Sequence, residues 1–310
     1  MGSGAEGLVA AIDCGTNSTR LLVVDSRGGS VERAMRITRL GQGVDATHRL
    51  SSEAMSRTLD VLSEFRRTMD DLGVEKGRLV ATSAVRDAVN GDQFLRDASE
   101  VTGFPAELLS GDEEGRTAYA GAVIGLPPAA GDDVVVDIGG GSTELVHARD
   151  EHVAAVSLDI GCVRLTERYL QSDPPTPEEL AAAGATIAGE LDRACREVPD
   201  LARLAPSSRL LGLAGTVSTL SVLQQGLMNY DRARVHRSVL ARQEVDGWLE
   251  TLANEPASAR GRRPGMDRGR EDVIVGGVLV LSGVMGRFGF DECLVSESDI
   301  LDGLVASVLN

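Results

Sequence analysis

The chain has 310 residues, 42% hydrophobic and 25% charged, an ordinary globular composition long enough for two domains with their own cores. A formal net charge of −16 argues against general nucleic-acid binding, and no apolar run approaches the ~20 residues that cross a bilayer. Cys14, Cys162, Cys195 and Cys293 lie far apart without C-x-x-C spacing, and the opening "MGSGAEG" lacks a signal peptide's charged and apolar regions, so a reduced cytoplasmic protein is expected.

In chain order, residues 8–25 read as a hairpin and "VERAMRITRLGQG" extends its sheet into a turn. "SSEAMSRTLDVLSEFRRTMDDLGV" has the 3–4 spacing of an amphipathic helix with a capping-box start, closed by Gly73. "RLVATSAVRDAVNG" is a strand and turn into the helix "GDQFLRDASEVTG", and "AELLSGDEEGRTAYAGAVIGL" a short strand and a helix starting near Asp112. The stretch "LPPAAGDD" is the clearest linker, placing domains at 1–127 and 128–310. A second strand-turn-strand, "VVVDIGGGSTELVHA", follows it. Then come a Pro-opened, capped helix in "SDPPTPEELAAAGATIAGELDRACREVP", and a strand running into a third glycine corner and helix in "SRLLGLAGTVSTLSVL". The chain closes with the apolar helix "EDVIVGGVLVLSGVMGRFG", the strand of "ECLVSESD" and the helix "ILDGLVASVLN". With aromatics at only 3%, packing must rely on small and branched aliphatics.

The two hairpins are versions of one motif. A shift of 124 positions lays Asp13 on Asp137, Gly15 on Gly139, Ser18 on Ser142, Thr19 on Thr143 and Leu21 on Leu145. Glycine lets backbone approach a ligand closely, successive turn N–H groups make an anion-binding concavity, and hydroxyls add donors. Thr16, Asn17, Ser18 and Thr19 in one corner, and Gly139, Gly140, Gly141, Ser142 and Thr143 in the other, are therefore candidate phosphate donors. A carboxylate at the strand end repels phosphate directly but can hold Mg²⁺ against it. The duplicated corner thus points to two phosphate clamps with metal between, a phosphoryl-transfer site. Cys14, between two strands, reads as a small core residue. Arg260, Arg262, Arg263, Arg268 and Arg270 crowd "RGRRPGMDRGRED", which reads as a mobile loop that either steers polyanions or solubilises the surface. His48, His147, His152 and His236 lack metal-ligand spacing and read as structural or exposed.

The segments "AIDCGTNSTRLLVVD", "ATSAVRDAVN", "LLSGDEEGRTAYAGAV", "VVDIGGGSTELV", "SLDIGCVRLTERY", "GLAGTVSTL" and "VSESDILDGLV" span almost the whole chain. In that order they resemble the exopolyphosphatase and guanosine pentaphosphate phosphohydrolase family, within the actin-like ATPase, hexokinase and Hsp70 superfamily. The resemblance implies an α/β fold of two ribonuclease-H-like domains with a phosphate-binding cleft between them. It departs at Cys14-Gly15-Thr16, where the family often has Ile-Gly-Ser, and it matches short members without a C-terminal helical extension.

What the resemblance implies for the site is specific. The Glu immediately before Gly115 matches the general base, so Glu114 is expected in that role with Glu113 as fallback, although acids in a helix's first turn also suit the macrodipole. Asp137 and Glu144, with Asp13 on the other corner, are expected to be linked to Mg²⁺ or Mn²⁺; Asp13 and Asp137 could instead cap their turns. Arg86 in "SAVRDA" matches a phosphate-binding arginine, whose planar fork suits an anhydride oxygen. Arg20 is open between a site role and an ion pair. The implied reaction is Mg-dependent release of orthophosphate from the end of inorganic polyphosphate, by a homodimer with no nucleic-acid or membrane partner. The nearest alternative is pppGpp hydrolysis, since "GLAGTVST" could contact a nucleoside. A sugar or acetate kinase of the superfamily and a non-catalytic polyphosphate or alarmone sensor are the others.

Overall fold

Both halves of the chain build their sheets by one plan in the computed structural model, which describes residues 7–309. The remainder of the "MGSGAEG" opening lies outside the described residues. The first half runs β1 (Val9–Cys14), β2 (Ser18–Val24), β3 (Ser30–Ile37), α1 (Val44–Thr47), α2 (Ser52–Leu72), β4 (Lys76–Ala81), α3 (Ser83–Arg86), α4 (Gly91–Thr102) and β5 (Ala106–Leu108). After α5 (Gly111–Ala122), the second half begins with β6 (Asp133–Ile138), β7 (Thr143–Arg149), β8 (His152–Leu158), α6 (Cys162–Tyr169) and α7 (Pro177–Glu197). It continues through β9 (Arg209–Leu213), α8 (Ala214–Gln224), α9 (Arg232–Val235), β10 (Val239–Ala241) and α10 (Arg242–Ala253). The chain closes with α11 (Ala257–Arg260), α12 (Ile274–Phe288), β11 (Glu292–Val295) and α13 (Ile300–Leu309).

The strand order is β3-β2-β1-β4-β5 in one sheet and β10-β11-β9-β6-β7-β8 in the other. In each, an antiparallel meander comes first and later strands add in parallel beside its first strand. Short β10 is the difference, an antiparallel edge on β11. The repeat seen in the sequence is therefore a repeat of topology. It is an α/β fold of two like domains.

Alternation along the strands decides what each sheet face carries. Ala10, Ile12 and Cys14 of β1 join a core with Leu62, Phe65 and Met69 of α2 and Phe94 of α4, so Asp13 falls on the opposite face. In the second half, Val134, Val136, Ile138 and Leu145 pack with residues of α7, α8 and α12, which leaves Asp137 and Glu144 on the other face. The α2 helix begins with Ser51 alone, whose Oγ accepts from the Ala54 N–H 3.1 Å away, rather than with the expected capping box. Gly73, at φ 76°, ends it as expected. A reciprocal capping box does occur at α7, between Thr176 and Glu179, with Pro177 in the first turn.

By packing, the chain falls into two compact units: the described part of Met1–Ser110 with Ile300–Asn310, and Gly111–Asp299. This division differs from a boundary near residue 127. The α5 helix lies on β7 and β8, so the Pro-rich stretch after it runs within the second unit, while α13 packs on β1, β2 and β4 of the first. In that first unit Arg33 donates to Asp302 of α13 at 2.6 Å.

The arginine-rich stretch is anchored. Arg260 is buried, donating to the Leu252 carbonyl and to Asp173 Oδ1, each at 3.2 Å. Arg263 pairs with Glu255 and sets its guanidinium 5.4 Å from the Trp248 ring centre, and Arg270 pairs with Asp267 at 3.3 Å. Only Arg262 and Arg268 of the five are exposed. Most of the charge expected to face solvent is thus spent holding the unit together. Among the described residues, no helix is long and apolar enough to cross a membrane.

Candidate active site

In the second unit, Asp137 on β6 and Glu144 on β7 are direct cross-strand partners flanking the glycine corner. Asp137 is 8% exposed and Glu144 1%. A carboxylate so buried needs donors, and Ser157 of β8 supplies one, its Oγ 2.7 Å from Glu144 Oε1. The α5 helix crosses the same face. A Cβ on Gly111 would lie 2.3 Å from Ser157 Cβ, and one on Gly115 would lie 3.0 Å from Ala155 Cβ and 3.5 Å from Glu144 Cβ. The two glycines, one turn apart, let the helix backbone lie directly over β7 and β8. Helix periodicity then sorts the acids. Gly111, Gly115, Ala118 and Ala122 form the sheet-facing stripe, and Glu114 falls within it, half-buried, whereas Asp112 and Glu113 are exposed. Asp112 is occupied by Arg116 at 2.7 Å. So Glu114, Asp137 and Glu144 share one sheet face, and Glu113 points elsewhere.

The glycine corner is gripped from behind. The Gly139 carbonyl accepts from the Cys162 N–H at 2.9 Å, and the Gly140 carbonyl from Val163 at 2.8 Å and Arg164 at 3.1 Å. The Gly141 carbonyl accepts from the Gly161 N–H at 3.3 Å and from Arg164 Nε at 2.6 Å. In a planar trans peptide the next N–H points opposite to the carbonyl. The N–H groups of Gly140, Gly141 and Ser142 therefore face away from α6, and none of them donates to a backbone carbonyl elsewhere among the described residues. Three donors presented together can cradle an anion.

The first unit builds its corner the same way. The Thr16 carbonyl accepts from Gly41, and the Asn17 carbonyl from both Thr38 and Arg39. Gly41 is needed there, since a Cβ would lie 2.3 Å from Thr16 Cγ2. Asn17 Nδ2 is buried without a hydrogen-bond partner among the described residues, a donor kept dry beside the corner. Ser18 begins β2 and is half-buried. Asp13 is 4% exposed and takes Arg20 Nη2 at 2.6 Å and Nε at 3.1 Å, so Arg20 makes an ion pair with a buried acid across the β1–β2 ladder. Arg86, ending α3, donates to the Leu109 carbonyl at 2.9 Å. Burial and then the Asp13 charge raise the Cys14 thiol well above its ordinary value, consistent with a core role.

Two expected donors turn inward. Thr143 Oγ1 donates to the Ile160 carbonyl at 2.8 Å, and Thr19 Oγ1 shares a hydrogen bond with Thr38 Oγ1 at 2.9 Å. Both side chains brace the corners. Sequence reasoning missed Ser157, Gly161 and Arg164 altogether. The segment "SLDIGCVRLTERY" held the signal, a Gly-opened helix directly after the edge strand, but nothing local says what it grips.

The Ppx/GppA phosphatase family matches residues 22–310. The chain belongs to that family. It is 44% identical to exopolyphosphatase 2 of Mycobacterium tuberculosis, over 97% of this chain and 98% of that protein. A crystal structure of an exopolyphosphatase-like protein superposes with a TM-score of 0.91 at 34% identity, covering 97% of this chain and 98% of the other. The Aquifex aeolicus Ppx/GppA family member gives 0.80 at 33% identity, with 98% of each chain covered. Ppx/GppA phosphatases generally depend on a divalent metal. Among the described residues no three His, Cys, Asp or Glu side chains form a protein-only cage. Mg²⁺ is usually held by one or two carboxylates together with substrate phosphates and water, and Asp137 and Glu144 fit that donor set.

Proposed function

We propose that this Ppx/GppA phosphatase is an exopolyphosphatase that removes the terminal phosphoryl group of inorganic polyphosphate as orthophosphate. The reading rests on one observation: Glu114 lies in the stripe of α5 that faces the sheet surface bearing Asp137 and Glu144. A carboxylate there is a base beside an anion cradle.

In this mechanism the N–H groups of Gly140, Gly141 and Ser142 bind phosphate oxygens; the corner at Thr16–Ser18, with Asn17 Nδ2 and Arg86, is a second set of phosphate donors within the first unit. Glu114 takes a proton from water as the water oxygen bonds to the terminal phosphorus. The bridging P–O bond breaks, and the shortened chain leaves with its electron pair. Ser157 keeps Glu144 oriented. A divalent cation, Mg²⁺ or Mn²⁺, would be held by Asp137 and Glu144 and would neutralise phosphate charge.

The test is phosphate release by the purified protein with Mg²⁺ or Mn²⁺ from short polyphosphate, long polyphosphate, pppGpp and ATP. Glu114→Gln should lower turnover by about 10²–10⁴-fold, the usual worth of a general base, and Glu113→Gln should leave it within about twofold. Preferential release from pppGpp moves the substrate to the guanosine pentaphosphate with the same bond chemistry. Release from none of the four sinks the catalytic reading. Sedimentation of the same sample checks the expected homodimer.

A further inference from the structure

Arg164 is a buried guanidinium with an unusual employment. Its backbone N–H donates to the Gly140 carbonyl at 3.1 Å, and its side-chain Nε donates to the Gly141 carbonyl at 2.6 Å. One residue thus holds two successive carbonyls of the glycine corner. Its side chain is only 9% exposed, and its contact with Asp159, itself 69% exposed, is a long 3.9 Å. Glycine peptides have the widest conformational freedom of any residue, and three in a row can turn their N–H groups in several directions. An anion cradle works only when those directions are set before the ligand arrives.

We infer that Arg164 is a positioning residue for phosphate binding: by holding the Gly141 carbonyl it points the Ser142 N–H into the cradle. This rests on the reading of residues 139–142 as a phosphate loop. The acting atom in this inference is the Nε donor rather than the positive charge. That distinction makes the inference testable, because glutamine places its Nε2–H the same number of bonds from Cα as the Nε–H of arginine, without the charge. Methionine has similar length and no donor.

Arg164→Gln and Arg164→Met are compared with the parent protein in two measurements. Steady-state release of phosphate from short polyphosphate should show KM raised by up to about tenfold in Arg164→Met, the scale of one hydrogen bond. Arg164→Gln should stay within about threefold of the parent, with melting temperatures of all three alike. Equal loss in both variants would mean that the charge acts on substrate directly and would overturn the inference, as would a parental KM in Arg164→Met. Amide hydrogen exchange of the peptide spanning residues 138–145 is the second measurement. Faster exchange in Arg164→Met, restored in Arg164→Gln, is expected, and unchanged exchange in Arg164→Met overturns the positioning role. Failure of the parent to release phosphate would remove the proposed activity, while the exchange measurement still decides what Arg164 does.

Discussion

Gly161 stands directly behind Gly140: a Cβ on Gly161 would fall 2.3 Å from both the carbonyl carbon and oxygen of Gly140. Its φ of −81° and ψ of 161° suit any residue, so the requirement is for space alone. Gly161→Ala should therefore push the corner out of place. Overpacking of this kind costs about 1–3 kcal/mol, and a displacement approaching 1 Å at a reacting centre costs up to about 10² in rate. Urea denaturation and phosphate release on the same variant should show a moderate stability loss beside a larger loss of activity.

Ser157→Ala removes the hydroxyl that donates to the buried Glu144 carboxylate at 2.7 Å. Losing one donor to a buried charged group costs about 1.5–3 kcal/mol, and the carboxylate loses one of the groups that orient it. Activity should fall about tenfold or more, with a rise in the metal concentration needed for half-maximal rate. A metal titration that matches the parent would remove Ser157 from the site.

Asp132 gives a prediction with a definite sign. Burial alone would raise its carboxyl, but the Arg149 guanidinium, donating through Nε and through Nη2 at 2.8 Å, outweighs this and holds it below the ordinary carboxylate value. The folded state therefore favours the ionised form. Its stabilising contribution is complete above the unfolded value of about 4 and is lost as pH falls through the lower folded value. Asp132→Asn should be less stable than the parent at pH 7. The gap should narrow below pH ~4, as read from urea midpoints across a pH series.

The four cysteines should separate by environment. Burial pushes the Cys162 thiol up to about 11 and Cys293 up to about 12, and raises Cys14 as well, whereas Cys195 is half-buried on α7. Thiolate is the reactive form. A thiol reagent at pH 7 should modify Cys195 alone in the native protein and all four after unfolding, as counted by intact mass.

The sequence by itself determined the fold plan and the two matching glycine corners. Strand-turn-strand periodicity is local, and the Asp-x-Gly-x-x-Ser-Thr spacing at residues 13–19 and 137–143 repeats in plain view, so both hairpins and most helices were legible. That Asp137 and Glu144 flank the second turn was legible too, and the fold makes them direct cross-strand partners. Tertiary structure alone decided the rest. Whether Glu113 or Glu114 faces the sheet depends on which stripe of α5 is pressed onto β7 and β8, and that is settled by the close approach at Gly111 and Gly115. Whether Thr19 and Thr143 face ligand or brace the corner depends on Thr38 and Ile160, residues 19 and 17 positions away along the chain. The grip of residues 161–164 on Gly139–Gly141 has the same character. Periodicity reports which side of an element is apolar, but hydrogen bonds between segments that meet only on folding leave no local pattern to read.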